Sequence, residues 1–91
     1  MININEYFNG NVKSLGFDSK EEKMSIGVME AGEYEFGTST IEIMSVITGE
    51  LTVKLPDSNE WQSFNAGQSF TVSSGKKFQL KVKESASYLC I

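Results

Sequence analysis

Apolar and polar side chains alternate along this chain in short runs, and that period constrains the fold more than any other feature. In KKFQLKVK, Phe78, Leu80 and Val82 share one side, while Lys77, Gln79, Lys81 and Lys83 share the other. ELTVKL sets Leu51, Val53 and Leu55 against Glu50, Thr52 and Lys54, and EYEF sets Tyr34 and Phe36 against Glu33 and Glu35. Successive side chains of a strand point to opposite faces, so these runs are strands with one dry and one wet side. Breaks are frequent: Gly49-Glu50, PDSNE at 56–60, NAG at 65–67 and SSGK at 73–76. Turns about every 8–12 residues, with no 3.6-residue period, predict about eight to ten short antiparallel strands in a sandwich or barrel. DSKEEK at 18–23 reads as a solvated charged loop, with a helical turn as the alternative.

The 91 residues suffice for one domain, 1–91. A chain of this size buries about 60–65% of the surface its unfolded form exposes, so its stability is modest and pairing into a homodimer would add to it. Twelve acidic residues against eight lysines, with no arginine and no histidine, give a net charge of −4. That balance argues against nucleic acid and against an anionic membrane surface, both of which call for a cationic face. No apolar run approaches the ~20 residues that span a bilayer. The opening MININEYFNG lacks the basic and apolar regions of a secretory leader, and Cys90 has no second cysteine to pair with. A cytoplasmic location is therefore expected.

One stretch has the frame of a metal motif with other residues in the ligand positions. Gly32 is followed after five residues by Thr38-Ser39-Thr40, and six residues separate Glu42 from Gly49. This resembles the first motif of the cupin family, a jelly-roll barrel, which carries His-x-His where Thr38 and Thr40 stand. GQSFTVSSGKKF resembles the second motif, with Ser73 in its proline slot and Phe78 in its histidine slot. Threonine hydroxyls and a phenyl ring are poor donors to a divalent transition metal, and one carboxylate does not hold such an ion alone. The expectation is an all-β cupin-type barrel with no metal and no cofactor.

The resemblance extends over the whole chain. NEYFNGNVKSLGF, GVMEAGEYEF, MSVITGELTVKLPDSNEW, AGQSF and SYLC together are similar to the small bacterial pyrimidine/purine nucleoside phosphorylases. That family implies phosphorolysis of nucleosides by inorganic phosphate to free base and ribose 1-phosphate, with wide tolerance of bases. On that resemblance Glu42 and Thr40 are the candidate catalytic residues, and Tyr34, Phe36, Thr38, Ser39 and Phe78 the candidate substrate contacts. The assignment has Tyr34, Phe36, Thr38 and Thr40 on one face, provided that the strand continues through residue 40. Blander roles remain open: Thr38 and Thr40 as ordinary strand residues, Phe36, Phe78 and Trp61 as core, and Lys76-Lys77 as a solvated turn. Cys90 reads as a small buried hydrophobe, with no histidine to activate it. A non-catalytic cupin that binds a metabolite, or a structural barrel with a filled cavity, are the rival functions.

Overall fold

A computed structural model describes residues 1–20 and 22–91. Ten antiparallel strands form two facing sheets: β1 (Asn3–Tyr7), β2 (Val12–Ser19), β3 (Glu22–Met29), β4 (Gly32–Gly37), β5 (Glu42–Thr48), β6 (Glu50–Lys54), β7 (Gln62–Asn65), β8 (Ser69–Val72), β9 (Lys77–Val82) and β10 (Ala86–Cys90). The larger sheet runs β1-β2-β3-β10-β5-β8 and the smaller β4-β9-β6-β7. The alternation read from the sequence sets what lies between them. Phe78, Leu80 and Val82 of β9 and Leu51 and Val53 of β6 point inward, where they meet Val12, Met29, Met44, Val46, Phe70 and Val72 of the larger sheet.

Two stretches depart from expectation. Asp18, Ser19, Glu22 and Lys23 are strand and not loop, because Asp18 pairs with Lys23 and Ser19 with Glu22 between β2 and β3. Lys20 turns through a left-handed φ of +48° there, and Glu21 lies outside the described residues. The second is the strand from Gly32, which stops at Gly37 and does not reach residue 40. Thr38 causes the break. Its N–H donates to the Lys76 carbonyl and its carbonyl accepts from the Gly75 N–H, both at 2.9 Å. Its hydroxyl donates to the Ser73 carbonyl at 2.6 Å and accepts from the Lys76 N–H at 3.1 Å. These bonds tie this residue to the β8–β9 turn, and the chain leaves the sheet to reach β5.

The two outer faces differ. The smaller sheet shows Glu33, Glu35, Lys77 and Lys81 to solvent, as a wet face should. On the larger sheet, Ile4 pairs with Leu15, Leu15 with Ile26 and Ile26 with Leu89, making an apolar row across four strands.

Candidate functional site

Between the sheets lies a cleft of about 250 Å³. Its two walls differ in chemistry because they come from different sheets. The smaller sheet contributes Phe36 and Gly37 of β4 and Phe78 of β9. The two rings stack, with centroids 6.0 Å apart at 28°, and Tyr7 of β1 meets Phe36 edge-on at 6.0 Å. Opposite stand the inward positions of the larger sheet: Ser14, Ser25, Met29, Glu42, Met44, Tyr88 and Cys90. A flat aromatic wall thus faces one lined by a carboxylate, three hydroxyls and a thiol.

Register explains how the polar wall is built. Gly27 sits in β3 between Ser14 of β2 and Tyr88 of β10. With no side chain at Gly27, the Tyr88 ring lies across it, and a Cβ built there would stand 2.5 Å from the phenol oxygen. Burial, then the neighbouring Cys90 and Tyr7, push the Tyr88 phenol up to about 12, with a Ser14 hydrogen bond opposing. Gly27→Ala is expected to expel the ring at a cost of about 1–3 kcal/mol, the range for overpacking a filled interior. Urea denaturation and a ligand-binding or turnover assay on the same variant check this. An unchanged midpoint with unchanged activity would show that Tyr88 needs no such gap.

Glu42 opens β5 opposite Val72 of β8, with its side chain turned into the cleft. The Cys90 thiol donates to Glu42 Oε1 at 3.2 Å. Burial first, and the Glu42 carboxylate second, push that thiol up to about 12, so the sulfur stays protonated and acts as a donor. The bond fixes one carboxylate oxygen and leaves the other free to meet a ligand. A transition metal finds little here. Among the described residues no three His, Cys, Asp or Glu side chains cluster, and the carboxylate and protonated thiol make only a pair.

Of the residues singled out by sequence, Phe36, Glu42 and Phe78 meet in the cleft. Tyr34 is buried behind it, its hydroxyl donating to the Glu30 carbonyl at 2.7 Å, and burial followed by Glu30 raises its phenol. Its ring packs on Phe8 at 5.0 Å, not on the open space. The Thr38 hydroxyl is taken up by the β8–β9 turn, while Ser39 and Thr40 are exposed on the link to β5 and absent from the lining. The face that Thr38 and Thr40 were expected to share with Phe36 is lost because β4 ends at Gly37, three residues short of Thr40. Trp61, for which a core role was left open, is at the surface with Lys81 Nζ 4.2 Å from its ring centre. Sequence reasoning missed Tyr7, Ser14, Ser25 and Tyr88, and it gave Cys90 no contact with Glu42. The available signal was a small polar residue two positions from a glycine in both KSLG and MSIG, where a dry face calls for bulk.

Comparison with known proteins adds a separate line of support. The family described as Pyrimidine/purine nucleoside phosphorylase matches residues 2–91. A protein of that name from Tolumonas auensis is 57% identical over 90 residues, covering 99% of this chain and 97% of its own length. One of the same name from Pseudomonas aeruginosa is 58% identical over 90 residues, with the same coverage. Among solved structures, a Vibrio parahaemolyticus protein of unknown function superposes with a TM-score of 0.97 at 44% identity, covering 99% of this chain and 96% of that one. An RmlC-like cupin from Shewanella frigidimarina shares the fold, with a TM-score of 0.77 at 18% identity over 98% of this chain and 80% of the other.

Proposed function

The chain belongs to the pyrimidine/purine nucleoside phosphorylase family, and from that premise we propose that the cleft between Phe36 and Glu42 is where nucleosides are split by inorganic phosphate. The observation that carries the assignment is the pairing of an aromatic wall with a carboxylate-and-hydroxyl wall across one opening. A nucleoside has the same division, a flat base joined to a sugar rich in hydroxyls. The base lies against Phe36 and Phe78, and the ribose turns toward Glu42, Ser14 and Ser25.

In this arrangement Glu42 does two things. Its free oxygen accepts from ribose hydroxyls, and its charge favours the positive character that develops on the sugar as the glycosidic bond lengthens, as carboxylates do in glycoside hydrolysis. Holding phosphate and nucleoside in line supplies roughly 7–11 kcal/mol, so the reaction does not depend on a histidine. Base tolerance follows from the aromatic wall, because strong rejection requires buried polar groups that the wrong base leaves unpaired. Uridine and adenosine incubated with phosphate and pure protein should each give free base and ribose 1-phosphate, with turnover surviving chelation. No product from any nucleoside would remove the assignment.

The working unit is a homodimer joined through the outer face of the larger sheet. Ile4, Leu15 and Ile26 are 74%, 47% and 43% exposed in one continuous row, whereas the other outer face is charged. Among the described residues one ion pair lies beside that row, Lys13 to Glu6 at 3.8 Å, and it neutralises itself. A chain carrying net charge −4 has few other faces that could meet a copy of themselves. Ile26→Lys, on an exposed position, should keep the fold and halve the mass measured by light scattering. A wild-type protein that is already monomeric at micromolar concentration would end this idea.

A further inference from the structure

Few formal charges surround the cleft, and their balance is unusual for a site that must accept a highly charged anion. Glu42 on β5 contributes one negative charge. The other titratable groups that face the space are Tyr7 of β1 and Tyr88 and Cys90 of β10, all neutral donors in their protonated forms. The remaining lining from β2, β3, β4, β5 and β9 is serine, methionine, phenylalanine and glycine. Among the described residues no lysine lines the cleft, and the chain has neither arginine nor histidine. The nearest lysines in sequence are directed elsewhere. Lys76 Nζ lies 3.7 Å from Asp57 Oδ2, and Lys77 occupies the outward position of β9 beside the inward Phe78.

We propose that the cleft takes inorganic phosphate as the singly charged dihydrogen anion, and that this anion supplies the proton acquired by the departing base. The inference rests on the assignment of the cleft as the phosphorolysis site. A dianion placed beside Glu42 with no cation would be a poorly solvated like-charge pair, and such groups take up a proton sooner than share a site. Dihydrogen phosphate carries half that charge, and the hydroxyls of Ser14, Ser25, Tyr7 and Tyr88 offer it neutral donors.

The proton balance agrees. One phosphate oxygen forms a bond to the anomeric carbon as the bond from that carbon to the base nitrogen breaks, the electron pair leaving with the base. A proton moves from a P–OH of the phosphate to the base. The products are neutral base and the ribose 1-phosphate monoanion, so the single negative charge is conserved. Dihydrogen phosphate loses a proton near neutrality. It is therefore a far stronger acid than the Tyr88 phenol or the Cys90 thiol, both pushed up to about 12. A general acid works best when its own pKa lies near the operating pH, which favours the cosubstrate over either side chain.

The test is kcat/KM for phosphate measured on the intact protein from pH 5.5 to 8.5, with adenosine as the nucleoside. The expected profile is level below neutrality and falls about tenfold for each pH unit above it, as the dihydrogen form is depleted. Thiophosphate, whose second proton is markedly more acidic, should move the break to lower pH by the difference between the two anions. A profile that rises through neutrality and levels off would overturn the proposal in favour of the dianion. So would a break that stays in place with thiophosphate, because the titrating group would then belong to the protein. Absence of product at every pH would overturn the phosphorylase assignment together with this inference, a result distinct from a dianion-shaped profile, which overturns the inference alone.

Discussion

Glu42→Gln is expected to lower kcat for phosphorolysis by about a hundredfold or more while leaving the fold intact. The amide has the shape of the carboxylate and keeps an oxygen to accept from the Cys90 thiol, so the 3.2 Å contact survives. Charge is what changes. A preorganised group aimed at developing charge in a sheltered site is worth about 10²–10³ in kcat when removed. The melting temperature should move by no more than about 4–8 °C, which corresponds to ~1 kcal/mol for a chain of this length. Steady-state rates with uridine, beside a thermal scan of the same sample, check both halves. A rate within twofold of wild type would mean that the carboxylate takes no part.

Phe78→Ala should have the largest effect on stability. The ring is among the fully buried side chains and contacts both Phe36 and Phe70, with centroids at 6.0 and 6.3 Å. Truncating such a phenylalanine costs about 3–5 kcal/mol through lost transfer energy and the cavity left behind. In a small domain that is a large share of the total stability, so the variant should unfold at far lower urea or fail to fold. Phe78→Leu separates packing from binding. It retains most of the volume, so folding should persist, while loss of the flat ring should raise KM for nucleosides more than it lowers kcat. A urea midpoint unchanged by the alanine variant would show that the cleft wall is not part of the core.

The residues differ in how far their places could be read in advance. Phe78, Leu80 and Val82 were legible because a strand turns each side chain through half a revolution, and nothing in KKFQLKVK interrupts that rhythm. Glu42 and Phe78 were legible from their slots in a known frame, and both line the cleft. Thr40 was placed on the wrong side of a break. Extrapolating the alternation past Gly37 ignored the possibility that Thr38 would bond to the β8–β9 turn, 35 residues away. Local periodicity carries no information about so distant a partner. Tyr88 and Cys90 became part of the site through pairing of β10 with β3 and β5, where both meet partners far back along the chain, Gly27 and Val46 for Tyr88 and Ser25 and Met44 for Cys90. Ser14 and Ser25 carried only the faint signal of a serine two positions before a glycine, and it is the strand register that turns them inward. For Trp61 the open alternative was a core role, yet its ring lies at the surface beside Lys81 of the smaller sheet.

The position of β10 has a consequence for how the protein is made. This strand follows the other nine in sequence yet lies in the middle of the larger sheet, joined to β3 on one side and β5 on the other. During synthesis the β1–β3 hairpins and the β5–β8 pair can form early, but they remain separate ribbons until residues 86–90 emerge from the ribosome. Closure is therefore a late event built on distant contacts, which slows folding relative to helical chains of equal size. Tyr88 and Cys90 arrive in that same step, so a stalled or prematurely released chain would have neither a sealed interior nor a working cleft.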